Sequence, residues 1–303
     1  MTQKRPNLFI IGAAKCGTTS LYYHLMRHPD IFFCDVVKEP YYFSTKYAKI
    51  PHQGKEDEIN DEKRKNLSTF DDYLELFKDA KDEKIIGEAS TDYLYFYHVA
   101  KDIKAMNPDA RIVISLRNPV DRAFSAYYHQ VSKDRETLSF EKALEVEEGR
   151  IKNNYSFIWR YKDVGLYSKR VKHFLDVFGR DKVKIILFDD IKNDIISVIH
   201  DILDFLELDP NLKVNASEKH RSTGVYRFKK FNDLMFKKTF VRRIMQMLLT
   251  QNARNRLLLK LTNLNLKKPQ MNQDTRKYLI NYFKEDILET EKIIGRDLQD
   301  WLK

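Results

Sequence analysis

The first residues whose types and spacing can do chemistry lie at 12–19, with the sequence GAAKCGTT. Small residues in such a turn expose backbone N–H groups, and a following helix directs its positive end at the same point. Thr18, Thr19 and Ser20 add hydroxyl donors. The Walker pattern places its lysine after the second glycine, whereas Lys15 lies inside this loop. We expect a phosphate loop with a displaced ammonium; a turn that binds no ligand is the alternative.

A second group of candidate residues lies at 114–129, ISLRNPVDRAFSAYYH. Arg117 follows a predicted strand at its C-terminal end, where ligands of open α/β sheets bind. Ser125 comes eight residues later, about two helical turns, so both side chains can face one phosphate. A guanidinium offers forked donors that suit this anion. Alone, Arg117 fits a structural ion pair and Ser125 a packing hydroxyl, and we assign Asp121 and Arg122 to structural bonding.

The elements that must position these residues follow from hydrophobic periodicity. Short apolar runs predict buried strands at 7–11, 84–87, 111–116 and 183–188. Amphipathic patterns predict helices at 18–28, 68–77 (capped by Ser68), 97–106, 119–132, 167–178, 191–206, 227–249, 255–264 and 274–294. Residues 46–65 are polar and predict an exposed insertion. The alternation predicts an α/β fold: a P-loop-like parallel β-sheet flanked by helices, with helical C-terminal additions, in one domain over 1–303.

These segments resemble the sulfotransferases that use 3′-phosphoadenosine-5′-phosphosulfate (PAPS). PNLFIIGAAKCGTTSLYYHLMRHPDI resembles their 5′-phosphosulfate loop, and ISLRNPVDRAFSAYYH resembles their 3′-phosphate motif. The stretch 267–302, KKPQMNQDTRKYL…IIGRDLQDWL, is similar to their closing helix and terminal tryptophan. The resemblance implies PAPS as co-substrate, adenosine 3′,5′-bisphosphate as product and no required metal. It implies these cofactor-binding residues: Lys15, Cys16, Gly17, Thr18, Thr19, Ser20, Arg117, Ser125, Lys267 and Lys268.

The resemblance also implies two catalytic residues, Lys15 and Glu39. Lys15 matches the family's loop lysine, which interacts with the oxygen that bridges the sulfuryl group and the leaving phosphate. Glu39, in KEPYYF, matches the glutamate base of members that sulfate glycans. We expect its apolar neighbours to raise its pKa. The alternative is a surface carboxylate paired with Lys38.

Glu88, in GEAST, is the second candidate base, because it follows a predicted strand. The family often carries a lysine after this glutamate, where this chain has Ala89, which argues against a close match to the heparan-modifying branch. The small-molecule branch uses a histidine base just after a strand. No histidine occupies this segment, and His98 lies well beyond it.

Composition excludes several other classes of protein. With 43% hydrophobic and 32% charged residues, the chain can bury a core and is not low-complexity. Its two cysteines, Cys16 and Cys34, exclude a disulfide scaffold, and its 8 histidines form no HExxH zinc-enzyme motif. We find no apolar run near the roughly 20 residues of a membrane span and no signal peptide. We expect a cytoplasmic protein, with peripheral membrane attachment as an option.

The charge of +10 is concentrated at 219–270, which holds 14 Lys and Arg against one acid, Asp233. This basic helical segment suits an anionic polymer, a membrane surface or closure over the cofactor, for which Lys219, Arg221 and 267–268 are candidates. No aromatic-basic motif indicates nucleic-acid binding.

Together the motifs predict sulfuryl transfer from PAPS to a hydroxyl or amine of a carbohydrate or glycolipid. The alternatives are a P-loop nucleotide kinase and a non-catalytic module that binds nucleotides or polyanions. The position of Lys15 and the lack of a magnesium-binding carboxylate after a strand argue against the kinase. Glu39 argues against the module, since binding alone does not require a base.

Overall fold

The computed structural model describes residues 4–209, 225–226, 266–267 and 270–303. A parallel sheet has the strand order β2-β3-β1-β4-β5. Its strands are β1 (Leu8–Ile10), β2 (Ile31–Phe33), β3 (Ile85–Ala89), β4 (Arg111–Leu116) and β5 (Val183–Leu187). Two further strands, β6 (Val225–Tyr226) and β7 (Leu266–Lys267), pair antiparallel as a separate ribbon. The predicted parallel α/β fold is therefore confirmed.

Helices flank the sheet in the described part of the chain. They are α1 (Thr18–Leu25), α2 (Tyr42–Thr45), α3 (Glu58–Asn66), α4 (Phe70–Glu75), α5 (Val99–Met106), α6 (Pro119–Ser132), α7 (Phe140–Glu145), α8 (Glu147–Lys152), α9 (Ser168–Phe178), α10 (Phe188–Asn193), α11 (Ile195–Phe205) and α12 (Gln273–Ile294). Short 3₁₀ turns lie at Phe157–Trp159, Asp163–Gly165, Arg180–Lys182 and Gln299–Leu302. None of these described helices is long and apolar enough to cross a bilayer.

The sheet core explains why the strand sequences are almost continuously apolar. Successive side chains of a strand point to opposite faces, and both faces are covered here. Phe9 and Ile112 belong to one buried cluster, while Leu8, Ile10 and Val113 belong to the other. A strand that is buried on both faces has no polar side. Its sequence is therefore a continuous apolar run and not an alternation of apolar and polar residues.

Two predicted helix boundaries are confirmed by their caps. Asn118 precedes Pro119 and accepts the N–H of Val120 at 3.0 Å, so α6 begins where the proline predicts. Helix α12 ends at Gly295, whose φ of 67° is left-handed and suits glycine. Local sequence chemistry was sufficient at both positions.

Two other boundaries differ from the prediction. The helix expected at 191–206 is two helices, because Asp194 interrupts it and accepts the N–H groups of Ile196 and Ser197. Helix α4 is capped by Thr69, which accepts the N–H of Asp72 at 3.1 Å, and not by Ser68. In both cases a neighbouring side chain competes for the backbone donors. The helices predicted at 227–249 and 255–264 lie outside the described residues.

The prediction of an exposed insertion at 46–65 is confirmed only in part, because some of its charged side chains are buried. Asp57 and Asp61 are buried there, and so is Arg64, which is 2% exposed. Arg64 forms an ion pair with the equally buried Asp92, beyond β3. Asp57 accepts the indole N–H of Trp159 at 3.0 Å. These three charged side chains are buried because they bond to partners elsewhere in the segment or the chain, which hydropathy alone does not reveal.

The buried ion pair gives a stability prediction. Replacing Arg64 by Met leaves the Asp92 carboxylate buried without its cation, so the free energy of unfolding should fall by about 3–5 kcal/mol. Replacing both partners, as Arg64→Met with Asp92→Leu, should restore much of that loss. Denaturant titration measures all variants. The exposed pair of Lys78 with Glu75 is the control, where Lys78→Ala should leave the free energy of unfolding almost unchanged. Equal losses at the two pairs would contradict the assignment.

Candidate active site

Two glycines allow the loop between β1 and α1 to pack closely against neighbouring segments. Gly12 has a φ of +131°, and a Cβ there would lie 2.7 Å from the carbonyl oxygen of Thr91. Gly17 has a φ of +87°, and a Cβ there would lie 3.0 Å from Ile191. The Ser115 N–H donates to the Gly12 carbonyl at 2.7 Å, which ties the loop to β4. Neither glycine tolerates a side chain, so this backbone path depends on both.

Helix α1 presents an uncapped N terminus to this loop. Its N-cap is Gly17, which has no side chain to satisfy the first-turn N–H groups. Thr18 is buried, Ser20 half-buried and Thr19 exposed. Cys16 is fully buried, and burial raises the pKa of its thiol to about 11, so the side chain is neutral core packing. The backbone donors and the helix dipole together suit an anion.

Lys15 supplies a cation at the centre of the loop. Burial, reinforced by the nearby charges of Lys133 and Arg117, lowers the pKa of its ammonium to about 8. Its backbone is left-handed, with a φ of 73°. A bound anion would offset the effect of these two cations on Lys15.

Arg117 follows β4 and reaches the same place. Its guanidinium lies 4.6 Å over the ring of Phe188, and Nη1 donates to the Lys15 carbonyl at 3.4 Å. Tyr167 holds the Arg117 carbonyl with a 3.0 Å hydrogen bond from its hydroxyl. The structure therefore brings Lys15 and Arg117 together, as the two motifs indicate. Asp121 and Arg122 make structural bonds, to Arg276 and to the Tyr161 carbonyl respectively.

One face of α6 carries Ser125 and a histidine that the sequence reasoning missed. His129 lies one turn after Ser125, so the two side chains share a face. Burial lowers the pKa of His129 to about 3, helped by Lys15, Lys133 and Arg135, so its imidazole is neutral at neutral pH. His129 is therefore close enough to the loop for the charge of Lys15 to affect it. The available signal was the four-residue spacing from Ser125.

Glu39 lies beside the loop with a side chain 23% exposed. It accepts hydrogen bonds from Lys38 at 2.9 Å, from Thr91 at 3.2 Å and from the Tyr41 hydroxyl. Burial alone would raise its pKa, but Lys38 and the two hydroxyls outweigh burial and lower it. The expectation of a raised pKa is wrong for that reason. The predicted pairing with Lys38 does occur, and the carboxylate is ionised at neutral pH.

Glu88, the second candidate base, lies deeper and is 3% exposed. Its carboxylate accepts hydroxyl bonds from Tyr73 and Ser90, both at 2.6 Å, and from Tyr93 at 3.3 Å. Burial raises its pKa to about 7, although the three hydrogen bonds lower it. Glu39 is thus the more accessible of the two carboxylates.

The remaining predicted cofactor residues lie at the C-terminal end of the chain. Lys267 is in β7, whose partner strand β6 runs close to α6. Lys268 lies outside the described residues, as do Lys219 and Arg221. In the described ranges, no three His, Cys, Asp or Glu side chains are grouped to hold a metal ion.

Comparison with known proteins places these features in one family. The sulfotransferase domain family matches residues 5–300. A crystal structure of a sulfotransferase from Alicyclobacillus acidocaldarius is 35% identical, with a TM-score of 0.79 over 99% of this chain and 100% of that chain.

Two curated relatives are more distant. Carbohydrate sulfotransferase 15 from Homo sapiens is 28% identical, over 68% of this chain and 44% of the relative. Heparan sulfate glucosamine 3-O-sulfotransferase 6 from Homo sapiens is 26% identical, over 71% of this chain and 55% of the relative. The chain thus spans about half the length of the curated relatives it matches.

The setting of Lys15 predicts its titration. Only the neutral amine acylates, so labelling across pH, read by mass spectrometry, should give a midpoint near 8 rather than the ordinary value of about 10.4. Lys133→Ala removes a neighbouring cation and should raise that midpoint. A midpoint near 10 in the unaltered protein, or one indifferent to Lys133→Ala, would refute the arrangement.

Proposed function

Because this chain belongs to the sulfotransferase family, we propose that it transfers a sulfuryl group from PAPS to a hydroxyl or amine of a carbohydrate or glycolipid. One observation carries the proposal. Two cations, Lys15 and Arg117, meet at an uncapped helix N terminus, and the carboxylate of Glu39 lies within electrostatic range of Lys15. An anion site with an ionised carboxylate beside it suits group transfer from an anionic donor to a neutral nucleophile.

The residues present fit the charges of PAPS. The α1 N terminus and Lys15 would hold the 5′-phosphosulfate, where the lysine stabilises negative charge that develops on the leaving phosphate. Arg117 and Ser125 would hold the 3′-phosphate, and Lys267 and Lys268 remain predicted cofactor residues. Bound there, PAPS supplies an activated sulfuryl group. That group carries less charge than a phosphoryl group, so the chemistry does not demand a divalent metal.

Glu39 would act on the acceptor. When the acceptor oxygen bonds to sulfur and the bond from sulfur to the phosphate oxygen breaks, the acceptor proton passes to the Glu39 carboxylate. The lowered pKa keeps this carboxylate free of a proton at neutral pH. Lys38 and the Tyr41 hydroxyl orient it, while Lys15 remains with the leaving group.

The names of the curated relatives support a carbohydrate acceptor. Both act, by name, on carbohydrate or heparan sulfate. Ala89 stands where the heparan-modifying branch often has lysine, which favours a carbohydrate other than heparan sulfate. Residues 219–270 stay a predicted contact for an anionic polymer or a membrane surface, and the cytoplasmic location stays a prediction.

Recognition of the 3′-phosphate should depend on Arg117. Arg117→Ala should weaken adenosine 3′,5′-bisphosphate tenfold to a hundredfold more than adenosine 5′-phosphate, because a charge-assisted hydrogen bond contributes about 1.5–3 kcal/mol. Calorimetric titration measures both affinities. Arg111→Ala, at the opposite end of β4, is the matched control and should leave both unchanged. Equal weakening of the two nucleotides by Arg117→Ala would reject the assignment.

Turnover should depend on Glu39 as a base. Glu39→Gln keeps the shape of the side chain but cannot accept the acceptor proton, so kcat should fall by about 10²–10⁴-fold. Affinity for adenosine 3′,5′-bisphosphate should stay nearly unchanged. Glu75→Gln, an exposed carboxylate, is the control. Full turnover in Glu39→Gln together with loss in Glu88→Gln would transfer the base to Glu88.

A further inference from the structure

A buried carboxylate that the proposed chemistry does not use lies behind the base. Glu88 is the centre of three hydroxyl bonds, from Tyr73, Ser90 and Tyr93. Burying a carboxyl group costs free energy of folding unless hydrogen bonds compensate. We therefore ask what these three hydrogen bonds position.

Two of these hydroxyls continue to the segment that carries the base. Ser90 Oγ donates to Glu88 and accepts the backbone N–H of Tyr41 at 3.1 Å. The Tyr93 hydroxyl donates to Glu88 and accepts the backbone N–H of Phe43 at 3.2 Å. Each hydroxyl commits its proton to Glu88, which leaves a lone pair for the backbone donor.

The backbone at residues 41–43 has an unfavourable conformation that these hydrogen bonds can stabilise. Tyr41 has a left-handed φ of 60°, uncommon for a residue with a side chain. Its ring lies under the guanidinium of Arg64 at 4.7 Å, and its carbonyl accepts the Ser44 hydroxyl at 3.0 Å. From that position the Tyr41 hydroxyl donates to Glu39.

We propose that Glu88 is a positioning residue for the base, acting through Ser90 and Tyr93 on the backbone at 41–43 and through Tyr41 on the Glu39 carboxylate. The inference rests on the proposed function for its catalytic meaning. Its structural part does not depend on turnover. It states that the Glu88 carboxylate sets the environment of the Glu39 carboxylate through the two hydroxyls and Tyr41.

Glu39 has several other ionisable neighbours, which the variants leave in place. They are Lys38 on its own segment, Lys15 in the phosphate loop, His129 and Lys133 at α6, and Asp92 after β3. Among its neutral partners, the Tyr41 hydroxyl lowers the pKa of Glu39 together with Thr91. Displacing Tyr41 should therefore raise that pKa.

The test is the titration of Glu39 in the full-length protein without any ligand. Carboxyl ¹³C NMR of glutamate-labelled protein gives the pKa, and the signal is assigned by its loss in Glu39→Gln. Tyr41→Phe is the benchmark and should raise the pKa by about one unit. Glu88→Gln alters the group to which both relay hydroxyls donate, and Ser90→Ala and Tyr93→Phe cut the two relays. Each of the three should shift the pKa in the same direction by at least about half as much, and no shift in Glu88→Gln would overturn the proposal.

Tyr73→Phe is the matched control. It removes a 2.6 Å hydrogen bond to Glu88 but keeps the ring that stacks on Tyr42 at 4.4 Å, and its hydroxyl is not one of the two relays. The Glu39 titration should not move. A shift in Tyr73→Phe as large as that in Ser90→Ala, or none in either relay variant, overturns the proposal.

A kinetic measurement separates this inference from the proposed function. Ser90→Ala should lower kcat about tenfold while the KM for PAPS stays within about twofold. The acidic limb of the pH profile of kcat should move to higher pH, because the pKa of Glu39 rises. If the unaltered protein transfers no sulfate, the proposed function fails, and the NMR titration still decides whether Glu88 sets the state of Glu39.

Discussion

The parallel pairing of β1 between β3 and β4 is the constraint on which the site depends. Leu8 pairs with Gly87 on one side and with Arg111 on the other, so the three strands run in register toward one edge. The carboxyl ends of parallel strands meet at such an edge. The loop after β1, residues 90–91 after β3 and Arg117 after β4 therefore emerge side by side, although about a hundred residues separate the first from the last.

A polar layer beneath this edge then holds the segment that carries Glu39, the proposed base. Glu88 and Asp92 are both buried, and their partners are hydroxyls and the Arg64 guanidinium from the polar segment 46–65. Buried hydrogen bonds of this kind are directional, whereas apolar contacts are not. A site that must hold one carboxylate in a defined orientation is well served by that layer, at the cost of ion-pair desolvation.

Local signals in the sequence predicted most of the sheet and the loop of the candidate anion site. Pro119, Gly17 and the position of Lys15 act through their own backbone or the next few residues, so a single sequence reveals them. The role of Arg64 could not be read in this way, because it depends on a partner that the fold brings from elsewhere. The spacing from Ser125 was a local signal for His129, but the neutral state of its imidazole depends on burial and on distant cations. The pKa of Glu39 was predicted in the wrong direction, since Lys38 and a folded-back Tyr41 hydroxyl outweigh burial.

The most direct test of the account is a transfer assay with ³⁵S-labelled PAPS, a panel of carbohydrate and glycolipid acceptors, and EDTA throughout. A parallel arm supplies γ-³²P ATP with Mg²⁺. We expect ³⁵S on an acceptor in EDTA and no ³²P transfer. Label moving only from ATP with Mg²⁺, or no binding of adenosine 3′,5′-bisphosphate at all, would contradict it.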